Sequence, residues 1–297
     1  MAASSVAATA SAKINLTLDV HGCRNDGYHE LRSLVIGVNL CDRVRCRIHH
    51  EPGIRLICND PRLRGSANLA HRAAVKLAQH LEHDPALRIE LEKRIPVGGG
   101  MGGGSSDAAT TLSLCNNLWE AGLDPRELAA IGAELGSDVP LFFSLPSAVV
   151  TSRGEQVQPV ILRWSGWVLL VSVDAAVYTS EVYRAWRPTD KMHLSSGQDG
   201  AIALAATADE VSALASNHLE PAVFRVSPTV ARVYDELNRA GLGPIRITGA
   251  GSTLYRLFDV EEAAHRVERI INDLRIGVTT SVVAAPVGPG SIASEES

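Results

Sequence analysis

The sequence predicts an α+β fold, with strands dominating the first sixty residues and helices mixed with strands after them. Hydrophobic residues alternate along several short N-terminal segments, as they do in half-buried strands. Later segments space apolar residues three and four positions apart, as amphipathic helices do. The order of strands and helices does not repeat as it would in a doubly wound parallel sheet.

The N-terminal segments predict an antiparallel sheet. Residues 12–20 place Ile14, Leu16, Leu18 and Val20 on one face and are predicted as the first strand, after a frayed terminus. A turn signal, Asn25-Asp26-Gly27, follows this strand. Further strands are predicted over 34–40, 44–49 and 54–58.

The middle of the chain predicts helices around a glycine run. A helix over 68–81 and a strand over 87–91 precede Gly98–Gly104. Ser105-Ser106-Asp107 then offers cap residues for a helix that runs to about Gly122. Asp124, Pro125 and Glu127 predict a capping box for another helix, which should end at Gly136.

The remaining chain predicts a second α+β unit. Its predicted elements are strands over 148–151 and 167–173, helices between 180 and 240, a hairpin over 245–258, a helix over 260–274 and a strand over 278–285. We place a boundary near residue 160, which gives domains at 1–160 and 161–285. Residues 286–297 are predicted to be a disordered tail.

Composition narrows the functional classes. A net charge of −5 and a pI of about 6.1 give no indication of a nucleic-acid partner. Five cysteines without a C-x-x-C pair predict neither a disulfide framework nor zinc, and reduced thiols indicate a cytoplasmic protein. The sequence contains no run of eighteen apolar residues, so no membrane span is predicted. The first ten residues do not resemble a secretory signal.

The segment PVGGGMGGGSSDAAT lies between a predicted strand and a predicted helix. Its glycines allow backbone N–H groups to converge on an anion, and the helix adds the positive end of its dipole. The segment lacks the Gly-Lys-Ser/Thr of a Walker A loop, and it matches G-x-G-x-x-G only as any dense glycine run would. A flexible linker is the remaining alternative, but linkers are not usually framed by a strand and a capped helix.

This glycine segment resembles the phosphate motif of the GHMP small-molecule kinases. SAKINLTLDVHGCRNDGYHEL, LGSDVPLFF and RITGAGST resemble three further family segments, in the same order along the chain. Ser11 and Ile247 depart conservatively from the family pattern. The resemblance implies an N-terminal domain like the second domain of ribosomal protein S5, a ferredoxin-like C-terminal domain, and a cleft between them for ATP and substrate.

The Asp-Gly-Tyr-His segment resembles the family branch that phosphorylates a cytidyl-linked methylerythritol at its 2-hydroxyl, a step of the non-mevalonate isoprenoid pathway. The implied partner is thus a small molecule with a cytidine diphosphate group, bound by a monomer or weak homodimer. Three alternatives stay open: a GHMP kinase for homoserine or a mevalonate derivative, a catalytically silent nucleotide sensor, and an interaction scaffold without nucleotide affinity.

The resemblance assigns Asp138 as the group that orients and deprotonates the hydroxyl, and Lys13 as its cationic neighbour. From the residues alone, a helix cap before Val139-Pro140 is the favoured role for Asp138, and a solvent-facing strand position is the common one for Lys13; the resemblance reverses that preference for Asp138. A nearby cation lowers a carboxylate pKa, so the pair is expected to stay charged at neutral pH.

The resemblance also assigns binding residues for ATP, with Mg²⁺ as its partner and no protein ligand for that ion. The ATP residues are Asn68, Lys93, Pro96, Val97, Gly98, Gly99, Gly100, Met101, Gly102, Gly103, Gly104, Ser105 and Ser106. The substrate residues are Asn15, Tyr28, His29, Thr179, Tyr183, Gly249 and Gly251. Ordinary structural roles remain alternatives for several of these residues: a helix start for Asn68, a strand end for Lys93, packing for Tyr183 and a hairpin turn for the two late glycines.

Overall fold

The computed structural model describes residues 4–190, 198–274, 276–287 and 294–295. Within these ranges the chain forms thirteen strands: β1 (Ser5–Asn15), β2 (Thr17–Cys23), β3 (His29–Ile48), β4 (Gly53–Cys58), β5 (Ala86–Glu92), β6 (Ser147–Ser152), β7 (Gln156–Pro159), β8 (Trp167–Val173), β9 (Ser216–Asn217), β10 (Arg246–Ile247), β11 (Thr253–Phe258), β12 (Val278–Ala284) and β13 (Ser294–Glu295).

The same described ranges contain nine α-helices: α1 (Leu69–His80), α2 (Gly103–Leu118), α3 (Pro125–Ala133), α4 (Thr179–Ala185), α5 (Gln198–Leu204), α6 (Ala208–Leu214), α7 (Glu220–Val226), α8 (Pro228–Arg239) and α9 (Glu261–Leu274). In this part of the chain no helix is both long and apolar enough to cross a membrane.

The first sheet is organised around the long strand β3. Its first half pairs with β2 and β6, and its second half pairs with β5, while β1 runs antiparallel beside most of its length. Helices α1 and α2 pack on this sheet over a core that includes Leu77, Ile89 and Leu112. The predicted antiparallel N-terminal sheet is therefore confirmed.

The second sheet has the order β10-β11-β8-β12, with antiparallel neighbours throughout. Helix α9 packs against its strands. A third core joins the two sheets, since Ile14 and Ile36 of the first sheet pack in one cluster with Leu170 and Tyr255 of the second. The Tyr255 hydroxyl also donates to the backbone oxygen of Asn15 (3.1 Å). The two sheets are thus held together directly behind the strand that carries Lys13.

The predicted domain boundary near residue 160 falls between β7 and β8, where the chain leaves one sheet for the other. The division is incomplete, because β9 returns to pair with β2 and β13 pairs with β1. The described tail residues differ from the predicted disorder: Pro286 bridges to Val38, and β13 is hydrogen-bonded to the sheet. The rest of the predicted tail, 288–293 and 296–297, lies outside the described residues.

Several predicted strand bounds were wrong. The predicted strand over 12–20 is two strands, separated at Leu16, and β1 begins at Ser5 within the segment predicted to fray. The Ala-rich start gave no strand signal, yet Ala8 and Ala10 are buried against the helices. The strands predicted at 34–40 and 44–49 are one continuous β3. The polar strand β7 was missed.

Candidate active site

The glycine loop joins β5 to α2 through three residues with positive φ: Gly98 (76°), Gly100 (75°) and Gly102 (69°). Gly102 is the N-cap of α2, and no side chain caps this helix. The predicted cap at Ser105-Ser106-Asp107 is therefore wrong, because the helix begins before the serines. The unpaired N–H groups of its first turn remain available to an anion at the loop.

The loop is fastened on two sides. The Lys13 N–H donates to the Met101 carbonyl (3.0 Å), and the Gly99 carbonyl accepts from the N–H of Thr253 (3.3 Å). A Cβ on Gly100 would lie 2.6 Å from the Thr248 carbonyl oxygen. Only glycine allows this approach, and the loop is thereby held between β1 and the turn that precedes β11.

One cavity of about 1130 Å³ runs along the loop. Its volume lies slightly above the 300–1,000 Å³ range typical of small-molecule sites. It collects nearly all the predicted site residues: Lys13, Asn15, Tyr28, His29, Asn68, Lys93, Pro96, Val97, Gly98, Gly99, Gly100, Met101, Gly102, Gly103, Gly104, Ser105, Asp138, Thr179, Tyr183 and Gly249.

Two predicted site residues do not line this cavity. Ser106 is buried on the far side of α2, near Thr9 of β1, because the early helix start turns its side chain toward the sheet. Gly251 faces helix α7, where a Cβ would lie 3.2 Å from Val223. Gly249 does reach the cavity, and a Cβ there would lie 3.4 Å from the Lys13 ammonium nitrogen.

Lys13 and Asn15 form a buried polar pair on β1. The Lys13 ammonium donates to Asn15 Oδ1 (2.6 Å), and Asn15 Nδ2 donates to Ser33 Oγ (2.7 Å). Thr248 Oγ1 accepts from the Asn15 N–H (3.0 Å). Burial lowers the pKa of Lys13, and the negative charge of Asp138 opposes that change. Ser33 on β3 and Thr248, which directly follows β10, complete this network and were not predicted from the sequence.

Asp138 lies between α3 and a 3₁₀ turn at Pro140–Phe143, with its side chain exposed to the cavity. It does not cap that turn, because the cap position is Val139 and no side chain bonds there. A Cβ on Gly154 would lie 3.5 Å from Asp138 Oδ1, so the β6–β7 turn passes close beside the carboxylate. Burial, and then the Asp138 charge, raise the pKa of Tyr183.

Lys93 is more than a strand-end lysine. Its ammonium contacts Asp42 and donates to Asp107 Oδ2 (2.7 Å), and all three side chains are almost fully buried. A Cβ on Gly103 would lie 3.2 Å from the Lys93 ammonium nitrogen, so this triad directly supports the start of α2. Asn68 both lines the cavity and caps α1 by accepting from the first turn (2.9 Å).

Sequence reasoning missed both carboxylates of the triad. The available signals were that Asp107 comes two serines after the glycine run and that Asp42 interrupts a strand rich in Arg. Burial raises the pKa of Asp107 to about 7, with Lys93 lowering it and Asp42 raising it again. Two carboxylates and one ammonium therefore share a single buried site.

The opposite end of the cavity is aromatic. The rings of His29 and Tyr183 lie with centroids 5.0 Å apart, and Trp186 meets the His29 ring edge-on at 5.6 Å. Because the first two rings already touch, a planar base would lie against them and not between them. Burial lowers the pKa of His29. Tyr28 is half exposed, and the Arg153 guanidinium lies over its ring at 5.1 Å.

Two family models match the chain. The GHMP kinases N terminal domain matches residues 68–144, and the GHMP kinases C terminal domain matches residues 200–274. The first match contains the glycine loop and Asp138, and the second contains the turn that holds the loop.

Relatives of the whole chain carry a more specific name. A 4-diphosphocytidyl-2-C-methyl-D-erythritol kinase from Shouchella clausii (strain KSM-K16) is 36% identical over 90% of this chain and 89% of its own length. One from Geobacter sp. (strain M21) is 39% identical over 90% of this chain and 94% of its own length.

Solved structures agree on the fold. A crystal structure of 4-(cytidine 5'-diphospho)-2C-methyl-D-erythritol kinase superposes with a TM-score of 0.77 at 31% identity, covering 95% of this chain and 100% of that one. A homoserine kinase from Cytophaga hutchinsonii ATCC 33406 superposes with a TM-score of 0.72 over 96% of this chain and 95% of that one. At 19% identity, this second similarity concerns the fold alone.

Proposed function

The chain belongs to the 4-diphosphocytidyl-2-C-methyl-D-erythritol kinase family of GHMP kinases, and we propose that its cavity transfers the γ-phosphoryl group of ATP to the 2-hydroxyl of that cytidyl-linked alcohol. The observation that carries this proposal is the shared cavity: the glycine loop, the Lys13–Asp138 pair and the aromatic end all line it. A homoserine or mevalonate kinase would have no evident use for the aromatic end.

ATP phosphates lie in this proposal against the backbone N–H groups of the loop and the first turn of α2. Enzymes of this reaction class contribute mainly positioning and charge stabilisation. The fixed positive-φ glycines provide the positioning, because the loop is already tied to β1 and β11. The helix dipole and free amides stabilise the transferred charge.

The acceptor hydroxyl lies beside Asp138, whose carboxylate is open to the cavity. The hydroxyl oxygen bonds to the γ-phosphorus, the bond from that phosphorus to the β-phosphate oxygen breaks, and ADP leaves. Asp138 takes the hydroxyl proton, a role that contributes about 10²–10⁴-fold to such rates. Lys13 balances the carboxylate charge and faces the phosphoryl group, while Asn15 orients the Lys13 ammonium.

The nucleobase lies at the aromatic end, against His29 and Tyr183 and near Tyr28. Stacking on such rings contributes about 1–3 kcal/mol per base. Burial lowers the pKa of His29, which favours the neutral ring. In a neutral imidazole one ring nitrogen can donate a hydrogen bond and the other can accept one. Thr179, at the start of α4, lies where it can contact the adjoining phosphates.

Mg²⁺ accompanies ATP in this proposal. Among the described residues, no group of three His, Cys, Asp or Glu side chains could hold a metal ion. The carboxylates nearest the loop, Asp42 and Asp107, are committed to Lys93. We therefore assign no protein ligand to the ion. When bound with ATP, Mg²⁺ would neutralise part of the phosphate charge.

We further propose a cytoplasmic monomer or weak homodimer. All five cysteines are free thiols, and three of them are buried, which fits a reducing compartment.

Phosphate transfer to the cytidyl-linked alcohol, with homoserine and mevalonate as control acceptors, tests the proposed function. We expect turnover only with the cytidyl-linked alcohol. Asp138→Asn should lower kcat by at least about 10²-fold while ATP affinity, measured by calorimetry, stays within about threefold. If Asp138→Asn turned over as fast as the unaltered chain, Asp138 would have no part in the reaction. If homoserine or mevalonate were phosphorylated faster than the cytidyl-linked alcohol, that acceptor would be the substrate instead.

A further inference from the structure

Arg153 is a charged residue of the cavity to which neither the sequence patterns nor the proposed reaction gives a role. It lies on the turn between β6 and β7, and its side chain is about one-third exposed (34%). Its guanidinium carbon lies 5.1 Å from the centroid of the Tyr28 ring. Arg153 therefore meets the cavity at the end where the nucleobase is placed.

The Arg153 guanidinium keeps most of its hydrogen-bonding capacity. Its ion-pair partner, Glu155, lies 3.8 Å from Nε, which is beyond hydrogen-bond distance. Glu155 is instead held in place by the backbone N–H of Arg153 (3.0 Å) and by the Ser152 hydroxyl (3.0 Å). A guanidinium carries five N–H donors in a planar fork, so donors remain for a ligand.

Three other cations near Arg153, namely Arg24, Lys93 and Lys13, are already engaged. Arg24 donates to Glu30 (2.6 Å) and to the Ser152 hydroxyl (2.9 Å). Lys93 lies between two carboxylates beneath the glycine loop. Lys13 is buried at the acceptor end, where it donates to Asn15 (2.6 Å). Arg153 has donors to spare at the nucleobase end of the cavity.

The turn that carries Arg153 lies close to residues at both ends of the proposed substrate site. Its own guanidinium covers Tyr28 at the nucleobase end, while the next residue, Gly154, passes beside the Asp138 carboxylate at the acceptor end. Gly154 has a φ of 111°, so the turn can run this close without a side chain. In a cytidyl-linked alcohol, the diphosphate is the covalent link between those two ends.

We propose that Arg153 binds the diphosphate of the cytidyl substrate and thereby determines specificity for an acceptor activated as a nucleoside diphosphate. This inference rests on the proposed function. Arginine suits the role because its planar fork pairs with two phosphate oxygens while its face stacks on an aromatic ring. The Arg153 guanidinium lies over the Tyr28 ring, and its ion-pair partner Glu155 is too far from Nε for a hydrogen bond.

Binding of CDP and of cytidine, measured by calorimetry, tests this role, since the two probes differ only in the diphosphate. For Arg153→Gln we expect CDP affinity to fall about 10–100-fold and cytidine affinity to change less than threefold. Arg153→Lys, which keeps the charge but loses the fork, should lie between Arg153→Gln and the unaltered chain. Arg232→Gln, the same change on α8 outside the cavity, should bind CDP like the unaltered chain.

Unchanged CDP affinity in Arg153→Gln, or equal losses for CDP and cytidine, would overturn the inference, because Arg153 would then act only through Tyr28 or not at all. ATP affinity serves as the folding control and should stay within twofold in each variant. Failure of the unaltered chain to bind CDP would instead remove the proposed function, and this inference with it. CDP binding by the unaltered chain, together with weaker CDP binding by Arg153→Gln, supports both the proposed function and the role of Arg153.

Discussion

The buried triad beneath the glycine loop makes a sharp prediction about pH. Asp42 accepts from the N–H of Ile95 (2.8 Å) and contacts Lys93, whereas Asp107 accepts from Lys93 alone and its Oδ1 is buried without a hydrogen-bond partner. Asp107 is therefore the carboxyl that takes up a proton. An asparagine at this position imitates the protonated form, because its amide can donate toward Asp42 and its oxygen can accept from Lys93.

The size of the effect follows from the pKa of Asp107, which burial raises from 3.8 to about 7. Between these pH values the folded state binds more protons than the unfolded state, so stability falls as pH rises through the window. At 1.36 kcal/mol per pH unit, the free energy of unfolding should fall by about 3 kcal/mol from pH 5 to pH 8 because of this one group. Asp107→Asn should not lose that amount.

Urea unfolding of both chains at pH 5, 6.5 and 8 measures the difference, in which the other titrating groups cancel. Asp107→Asn should gain about 3 kcal/mol relative to the unaltered chain over this range. Asp42→Asn should lose about 3–5 kcal/mol at pH 5, because it leaves a buried ammonium with a weaker partner. Its stability should also depend less on pH, because the Asp42 charge no longer raises the pKa of Asp107. Parallel curves for Asp107→Asn and the unaltered chain would refute the reasoning.

Two further predictions concern the loop and its support. Gly98 and Gly100 share the same φ, but only at Gly100 would a Cβ meet backbone, 2.6 Å from the Thr248 carbonyl. Thermal unfolding should show Gly98→Ala losing about 1–2 kcal/mol and Gly100→Ala more than about 3 kcal/mol, and equal losses would contradict this packing. Thr248→Val removes the acceptor of the Asn15 N–H (3.0 Å) and should lower kcat about tenfold. Thr248→Ser should retain most activity, and normal turnover in Thr248→Val would show that this bond is dispensable.

Local chemistry explains what the sequence could predict. The glycine loop was recognisable because positive φ, a preceding strand and a following helix all leave composition signals within twenty residues. The capping box of α3 was predicted for the same reason, and both of its hydrogen bonds are present at Asp124 and Glu127. Each of these features depends on neighbours in the chain, which a sequence displays directly.

Long-range packing explains which features the sequence could not predict. Ser106 was assigned to the phosphates because hydroxyls after a glycine run are good donors, but the αL cap at Gly102 rotates it toward the sheet. The union of Lys93 with Asp42 depends on the register between β3 and the segment after β5, which no local pattern encodes. Arg153 was overlooked because a single arginine in a turn has no pattern at all.

In the proposed function, two polyanions bind side by side, and the distribution of charge in the cavity is compatible with this. The Lys93 charge is neutralised by carboxylates, so the proposal leaves the ATP phosphates to backbone amides and a helix dipole, which need no counter-charge of their own. Burial lowers the pKa of Lys13, and the negative charge of Asp138 opposes that change. Removing Asp138 therefore also weakens the cation beside it, and the loss in Asp138→Asn measures the pair, not the carboxylate alone.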